Sequence, residues 1–243
     1  ILIIHYLLIQ TKFYLMKKYI FIICTICTMA VNAQYCAFFD FKATEPEMVV
    51  STLKGMMDTG WGKNIQGTKS LFSYQFNGPN QATHSIQFCF PDEVAFANFF
   101  TSWNLSTEAQ LLGEKLGKFT EGINQALNTP LWYKNDWSND QAFMIYQLDI
   151  SDTKAYLNIF KEFTQTMAKK LGFENNSYGI GYPIIGKVKD FTHFVWIGAN
   201  DVESSLRQTK QMLSDDLFAS FSKDVAGIRK VVTTTMMVRE MDF

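Results

Sequence analysis

Past residue 33 the chain keeps two histidines, His84 and His193, and two cysteines, Cys36 and Cys89. Each histidine follows a threonine, as Thr83-His84 and Thr192-His193, and the two pairs stand 109 residues apart. An imidazole titrates near neutrality and can serve as a general base or a metal ligand, so His84 and His193 are the candidates for catalysis. The plainer reading is a strand-start feature written twice. A zinc site takes three or more ligands at short spacings, which these four residues lack, so no metal site is expected. Asp40 and Asp149 repeat the 109-residue interval. Two matched carboxylates could face a ligand, or they could simply cap the turns after their strands. Ser51-Thr52-Leu53-Lys54 is a chance-frequency match, and Gly113, Gly117 and Gly122 fit no phosphate loop.

The elements that must position these groups read as one pattern repeated. An aromatic strand, 35–42, precedes a helix over 46–57. Strands follow near 68–76 and 83–90, joined by the turn sequence Asn77-Gly78-Pro79-Asn80. Helical sequence covers 91–100 and 107–124, and a short strand near 131–134 closes the unit. The polar stretch 135–140 is a linker. The second unit then runs strand 142–150, helix 153–171, strands 178–185 and 192–198, helical sequence 201–226 broken near Ser214, and strand 230–238. The order is β-α-β-β-α-β, twice. The repeated spacings, with Asp92 and Asp201 also 109 apart, point to an internal duplication with units at 34–135 and 136–243.

The chain has 243 residues, 22 basic against 23 acidic, and 15% aromatic content. It lacks the basic footprint of a nucleic-acid binder, so no nucleic-acid partner is expected. Met16-Lys17-Lys18, an apolar run to Val31 and Val31-Asn32-Ala33 read as a secretory signal peptide. The expectation is an upstream segment plus signal over 1–33, a true start at Met16 and cleavage after Ala33. The run falls short of the ~20 residues that span a bilayer, so no stable anchor remains after its removal. The expected location is outside the cytoplasm, periplasmic or secreted. The remaining 210 residues carry 19 basic and 23 acidic side chains, a net charge of −4.

One β-α-β-β-α-β unit leaves one sheet face bare, and the second copy is the nearest cover for it. The element order resembles the α+β-barrel superfamily, which includes the dimeric barrels and antibiotic-biosynthesis-monooxygenase-like proteins. Its members pack two ferredoxin-like units sheet to sheet. The resemblance lies in element order and rests on no catalytic motif. It implies an α+β fold of two tandem ferredoxin-like units forming a single-chain barrel. A monomer would suffice, since the chain supplies its own second sheet.

In that fold, strand alternation sends His84, Ile86, Phe88 and Phe90 toward the helices. Ser85, Gln87, Cys89, Thr192, Phe194 and Trp196 then face the barrel interior, joined by Cys36, Phe38, Asp40, Ile145, Gln147 and Asp149. From these, Phe38, Asp40, Gln87, Asp149, Phe194 and Trp196 are the candidate ligand-binding residues. Cys36 and Cys89 fall at ends that meet, a disulfide candidate; two free buried thiols or solvent-side cysteines are the alternatives.

The leading expectation is a non-catalytic exported module that binds a small apolar or aromatic ligand, or a partner. One alternative is an enzyme, a cofactor-independent oxygenase or haem-processing protein, with His84 or His193 and Trp196 near the substrate. Another is an envelope protein with a filled core. The residues themselves call for no cofactor; haem is the one the resemblance raises.

Overall fold

The computed structural model describes residues 35–187 and 191–243, so the expected signal segment lies outside the described residues. The first unit comprises β1 (Tyr35–Ala43), α1 (Pro46–Met57), α2 (Gly60–Asn64), β2 (Thr68–Gln75), β3 (His84–Phe90), α3 (Glu93–Leu105), α4 (Thr107–Gly117) and β4 (Thr120–Lys134). A 3-10 turn at Trp137–Asn139 leads into the second unit. That unit comprises β5 (Ala142–Ile150), α5 (Thr153–Leu171), β6 (Tyr178–Ile185), β7 (His193–Ala199), α6 (Val202–Leu213), α7 (Asp216–Asp224) and β8 (Arg229–Asp242). Each unit is a four-stranded antiparallel sheet, in the orders β4-β1-β3-β2 and β8-β5-β7-β6, with its helices on one face.

The two sheets join at both edges. β2 pairs with β8 and β4 pairs with β6, which closes an eight-stranded barrel. Closure leaves no free sheet edge, and eight strands enclose just enough room for side chains or one small ligand. Because every neighbour is antiparallel, β1 and β5 run in the same direction on opposite walls. The chain therefore puts the C-terminal ends of β1 and β5 at one end of the barrel and the linker at the other.

Alternation sorts the strand residues as expected. Ile86, Phe88 and Phe90 lie in a core with Val49, Leu53, Met56 and Phe99 from the helices. A second core gathers Tyr156, Phe160, Phe163 and Met167 of α5 against Leu148, Ile180 and Val195. The helices start where short acceptors stand. Asp92 and Asp201 accept hydrogen bonds from the Ala95 and Ser204 amides, so the matched aspartates make the same N-cap.

Three details depart from the sequence reading. α4 stops at Gly117 and β4 runs for 15 residues, where a helix to 124 and a strand of four were expected. The segment 120–129 is polar and shows no alternation; it is a strand because β1 and β6 pair with it on either side. The phenylalanines Phe96, Phe99 and Phe100 of α3 read as a core face, but of these only Phe99 is buried, with Ala95 beside it, while Phe100 is 60% exposed. The linker is no solvated tether either, since Asp140 is fully buried and accepts from Asn176 Nδ2 at 2.7 Å and the Ser177 amide at 2.8 Å.

Candidate functional site

The matched threonine–histidine pairs fix how the two units correspond. The Thr83 amide bonds the Phe41 carbonyl, and the Thr192 amide bonds that of Leu148, both at 2.9 Å. The threonine hydroxyls accept from the Ala43 and Ile150 amides, both at 2.8 Å. Each hydroxyl also lies 2.8 Å from the next histidine's Nδ1. β3 and β7 are thus offset by 109 residues, whereas β1 and β5 are offset by 107. Asp40, opposite Ser85, corresponds to Gln147, opposite Phe194. Asp149 is therefore not its partner. It lies two residues further on, exposed and opposite Lys230, outside the cavity lining.

Inside the barrel is a cavity of about 130 Å³ lined from both units. On this measure one water needs roughly 10–15 Å³, and an apolar cavity of about 150 Å³ takes benzene. The interior is thus not filled, contrary to the envelope-protein expectation. Phe38, Asp40, Gln87, Phe194 and Trp196 line it, as do Cys36, Cys89, Ile145 and Gln147. Phe38 and Phe194 reach toward each other with ring centroids 6.2 Å apart. Trp196 stands against Phe194 at 6.0 Å and Tyr133 at 6.1 Å. Ser85 is buried outside the lining, and Thr192 is occupied with the backbone.

Room for those aromatics comes from β6. A Cβ on Gly179 would lie 2.6 Å from the Trp196 ring, and one on Gly181 would lie 2.8 Å from that of Phe194. The first unit places Ser70 and Phe72 at the equivalent positions, opposite the smaller Gln87 and Ser85. Large and small residues thus alternate between walls.

The end of the barrel nearest the linker is closed. The Arg239 guanidinium lies 4.9 Å above the Phe72 ring and 5.7 Å from that of Phe143. It donates to the carbonyls of Asp140 and Trp137, to Ser70 Oγ and to Asp242 Oδ1, over 2.6–2.9 Å. Trp137, from the linker, lines the cavity beside it. At this end a disulfide joins Cys36 and Cys89, which face each other directly across β1 and β3.

The opposite end is polar. Asp40 Oδ1 accepts from the Tyr74 hydroxyl at 2.8 Å, and Oδ2 from Asn124 Nδ2 at 3.4 Å. Gln147 and the exposed Asn80 line the cavity here too. Asp40 is screened from bulk water, and that desolvation raises its pKa; hydrogen bonds from Ser85, Tyr74 and Asn124 offset part of the rise. The same burial, with the neighbouring Asp40 charge, holds the Tyr74 hydroxyl well above its usual range. Tyr74 therefore acts as a neutral donor.

The histidines lie elsewhere. His84 stacks on Phe41 at 5.8 Å, and His193 Nε2 lies 3.2 Å from the Thr153 hydroxyl. Neither lines the cavity. Burial lowers both pKa values; Glu240 opposes this at His84, while at His193 Lys187 adds to it and Asp149 opposes it. Among the described residues no three of the side chains His, Cys, Asp or Glu gather as a metal set, and no helix is long and apolar enough to cross a membrane. Sequence reading missed Tyr74, Asn124, Asn128 and Trp137. Alternation along β2 could have found Tyr74; the others depend on β4 and the linker.

Closed barrels of this order are known. The chain superposes on a candidate monooxygenase of Fusobacterium nucleatum with a TM-score of 0.54 and 16% identity, over 87% of this chain and 97% of that one. A candidate monooxygenase of Lactobacillus acidophilus gives 0.56 and 12%, over 87% and 96%. What they share with this chain is the fold, the eight-stranded α+β barrel described above. A haem-binding protein of Thermus thermophilus gives 0.52 and 9%, over 86% and 92%. No family model and no curated protein matches the chain. At these identities the likeness is one of fold.

Haem does not fit the cavity of this α+β barrel. The lining offers no imidazole, its two cysteines are bonded to each other, and the Tyr74 hydroxyl is held by Asp40. Its volume of about 130 Å³ also falls below the ~300–1,000 Å³ of sites for larger ligands.

Proposed function

We propose that this is an exported binding protein that takes one small aromatic molecule into its barrel. The observation that carries the reading is the cavity itself: about 130 Å³, walled by Phe38, Phe194 and Trp196, with Asp40, Tyr74, Asn124 and Gln147 together at one end. A ring fills the apolar part and a polar substituent meets Asp40, Tyr74 or Gln147. Export is supported by the leader-like sequence before residue 34 and by the disulfide, which persists in oxidising compartments.

The test is a titration with indole, followed by Trp fluorescence and by amide shifts. Saturable binding with shifts at Phe38, Phe194 and Trp196 is expected. Ala126 lines the cavity, so Ala126→Leu should remove binding and leave the fold intact. Absence of binding up to the solubility limit of indole and phenol would overturn the proposal.

A second reading is an oxygenase that works without a cofactor. It is favoured by Asp40, a carboxyl of raised pKa in the cavity wall that could take a proton from a bound phenol or enol. Two barrels of the same fold are described as candidate monooxygenases. Oxygen uptake with a bound phenol, lost in Asp40→Asn, would support this reading; no uptake would sink it.

A further inference from the structure

The lining of the cavity is unbalanced in charge. Asp40 is its one carboxylate, and no lysine, arginine or histidine lines it among the described residues. Among the described residues every hydrogen bond to Asp40 comes from a neutral donor: Tyr74 and Asn124, with Ser85 adjacent. Two described cations of the barrel strands are committed elsewhere: Lys42, two residues along β1, pairs with Glu121, and Arg239, at the closed end, bonds Asp242, Ser70 and two carbonyls. Eight of the lining side chains are aromatic, and aromatic faces are themselves electronegative. The protein already seats a guanidinium on two such faces, Phe72 and Phe143. An uncompensated carboxylate beside aromatic rings is the arrangement that attracts an organic cation.

We infer that the ligand is an arylalkyl ammonium, its ring against the side chains of Phe38, Phe194 and Trp196 and its ammonium facing the Asp40 carboxylate. The inference rests on the small-aromatic reading above and names the chemical class within it. The polarity along the barrel matches such a molecule. Asp40 and Gln147 stand at the polar end, the rings lie deeper, and Arg239 with Trp137 closes the far end. The cavity, close in volume to one that takes benzene, suits a single ring, with the short chain running to the polar end beside the exposed Asn80.

Three probes of similar size separate the outcomes: 2-phenylethylammonium, its neutral isostere propylbenzene, and 3-phenylpropionate. Calorimetric titration should rank them in that order. Asp40→Asn should weaken 2-phenylethylammonium by about 20-fold or more, because it removes the charge partner of a desolvated cation. The same variant should leave propylbenzene within about threefold, which also shows that it is folded. Equal affinities, or tighter binding of the neutral or anionic probe, would overturn the ammonium assignment and leave the aromatic cavity standing. Failure of all three to bind would overturn both.

Discussion

Breaking the Cys36–Cys89 bond should cost the protein about 4 kcal/mol. The two residues are 53 apart in sequence. In the chain-entropy model, closing a loop of that length removes about 14 cal/mol/K from the unfolded chain, which is about 4 kcal/mol at 25 °C. The folded state should hardly notice the loss. Cys36 and Cys89 are directly paired across β1 and β3, and six further pairs hold that register. For a domain of this size each kcal/mol shifts the melting temperature by roughly 2–4 °C, so a fall of about 8–16 °C is expected. The assay is urea unfolding of the same protein oxidised and reduced, the bond being reduced in the unfolded state so that burial does not block access. The slope should rise slightly on reduction, because the unfolded chain becomes more open. A difference under about 1 kcal/mol would refute the loop-closure reasoning and point to compensation in the native state.

Other perturbations test the closed end, the packing and the polar end. Arg239→Met keeps the stem over Phe72 but leaves Ser70 and two carbonyls without their donor; a loss of about 3 kcal/mol or more is expected in urea melts. Gly179→Ala puts a methyl 2.5 Å from Tyr133 Cβ and 2.6 Å from the Trp196 ring. It should cost about 1–3 kcal/mol and weaken indole binding, with a changed Trp fluorescence maximum as the check. Burial raises the Asp40 pKa, so the folded state disfavours its ionised form. That penalty is full above the folded pKa and disappears below the ordinary carboxylate value near about 4. Asp40→Asn should therefore stabilise the ligand-free protein at neutral pH, with the gain shrinking as pH falls; thermal melts from pH 3 to 8 would show a constant difference if the reasoning is wrong.

Much of the frame could be read from residues, and the misreadings have identifiable causes. The Thr-His pairs located β3 and β7 because their hydroxyls make the same bonds in both units. The Asp40–Asp149 spacing misled, since an equal interval along the chain says nothing when β1 and β5 are offset by 107. β4 was largely hidden because its residues alternate poorly and its pairing comes from two strands remote in sequence. Asn124 and Asn128, which line the cavity from β4, were lost with it. Trp137 was read as linker because a turn-rich segment gives no sign that it will be folded over a barrel end.

The correspondence between units also explains why the cavity has a direction. Positions that build the frame match: Thr83 with Thr192, His84 with His193, Asp92 with Asp201. Positions that face inward do not. Asp40 stands where the other unit has Gln147, Ser85 where it has Phe194, Gln87 where it has Trp196, and the disulfide where it has Phe143 and Gly198. The first unit thus supplies the carboxylate, with Phe38 and Phe72, and the second supplies Phe143, Phe194 and Trp196, the last two given room by Gly181 and Gly179. A barrel with matched walls would offer a ligand two equivalent orientations. This one has, among the described lining residues, a single carboxylate, at one end, so the ring-bearing ammonium inferred above would dock in one sense.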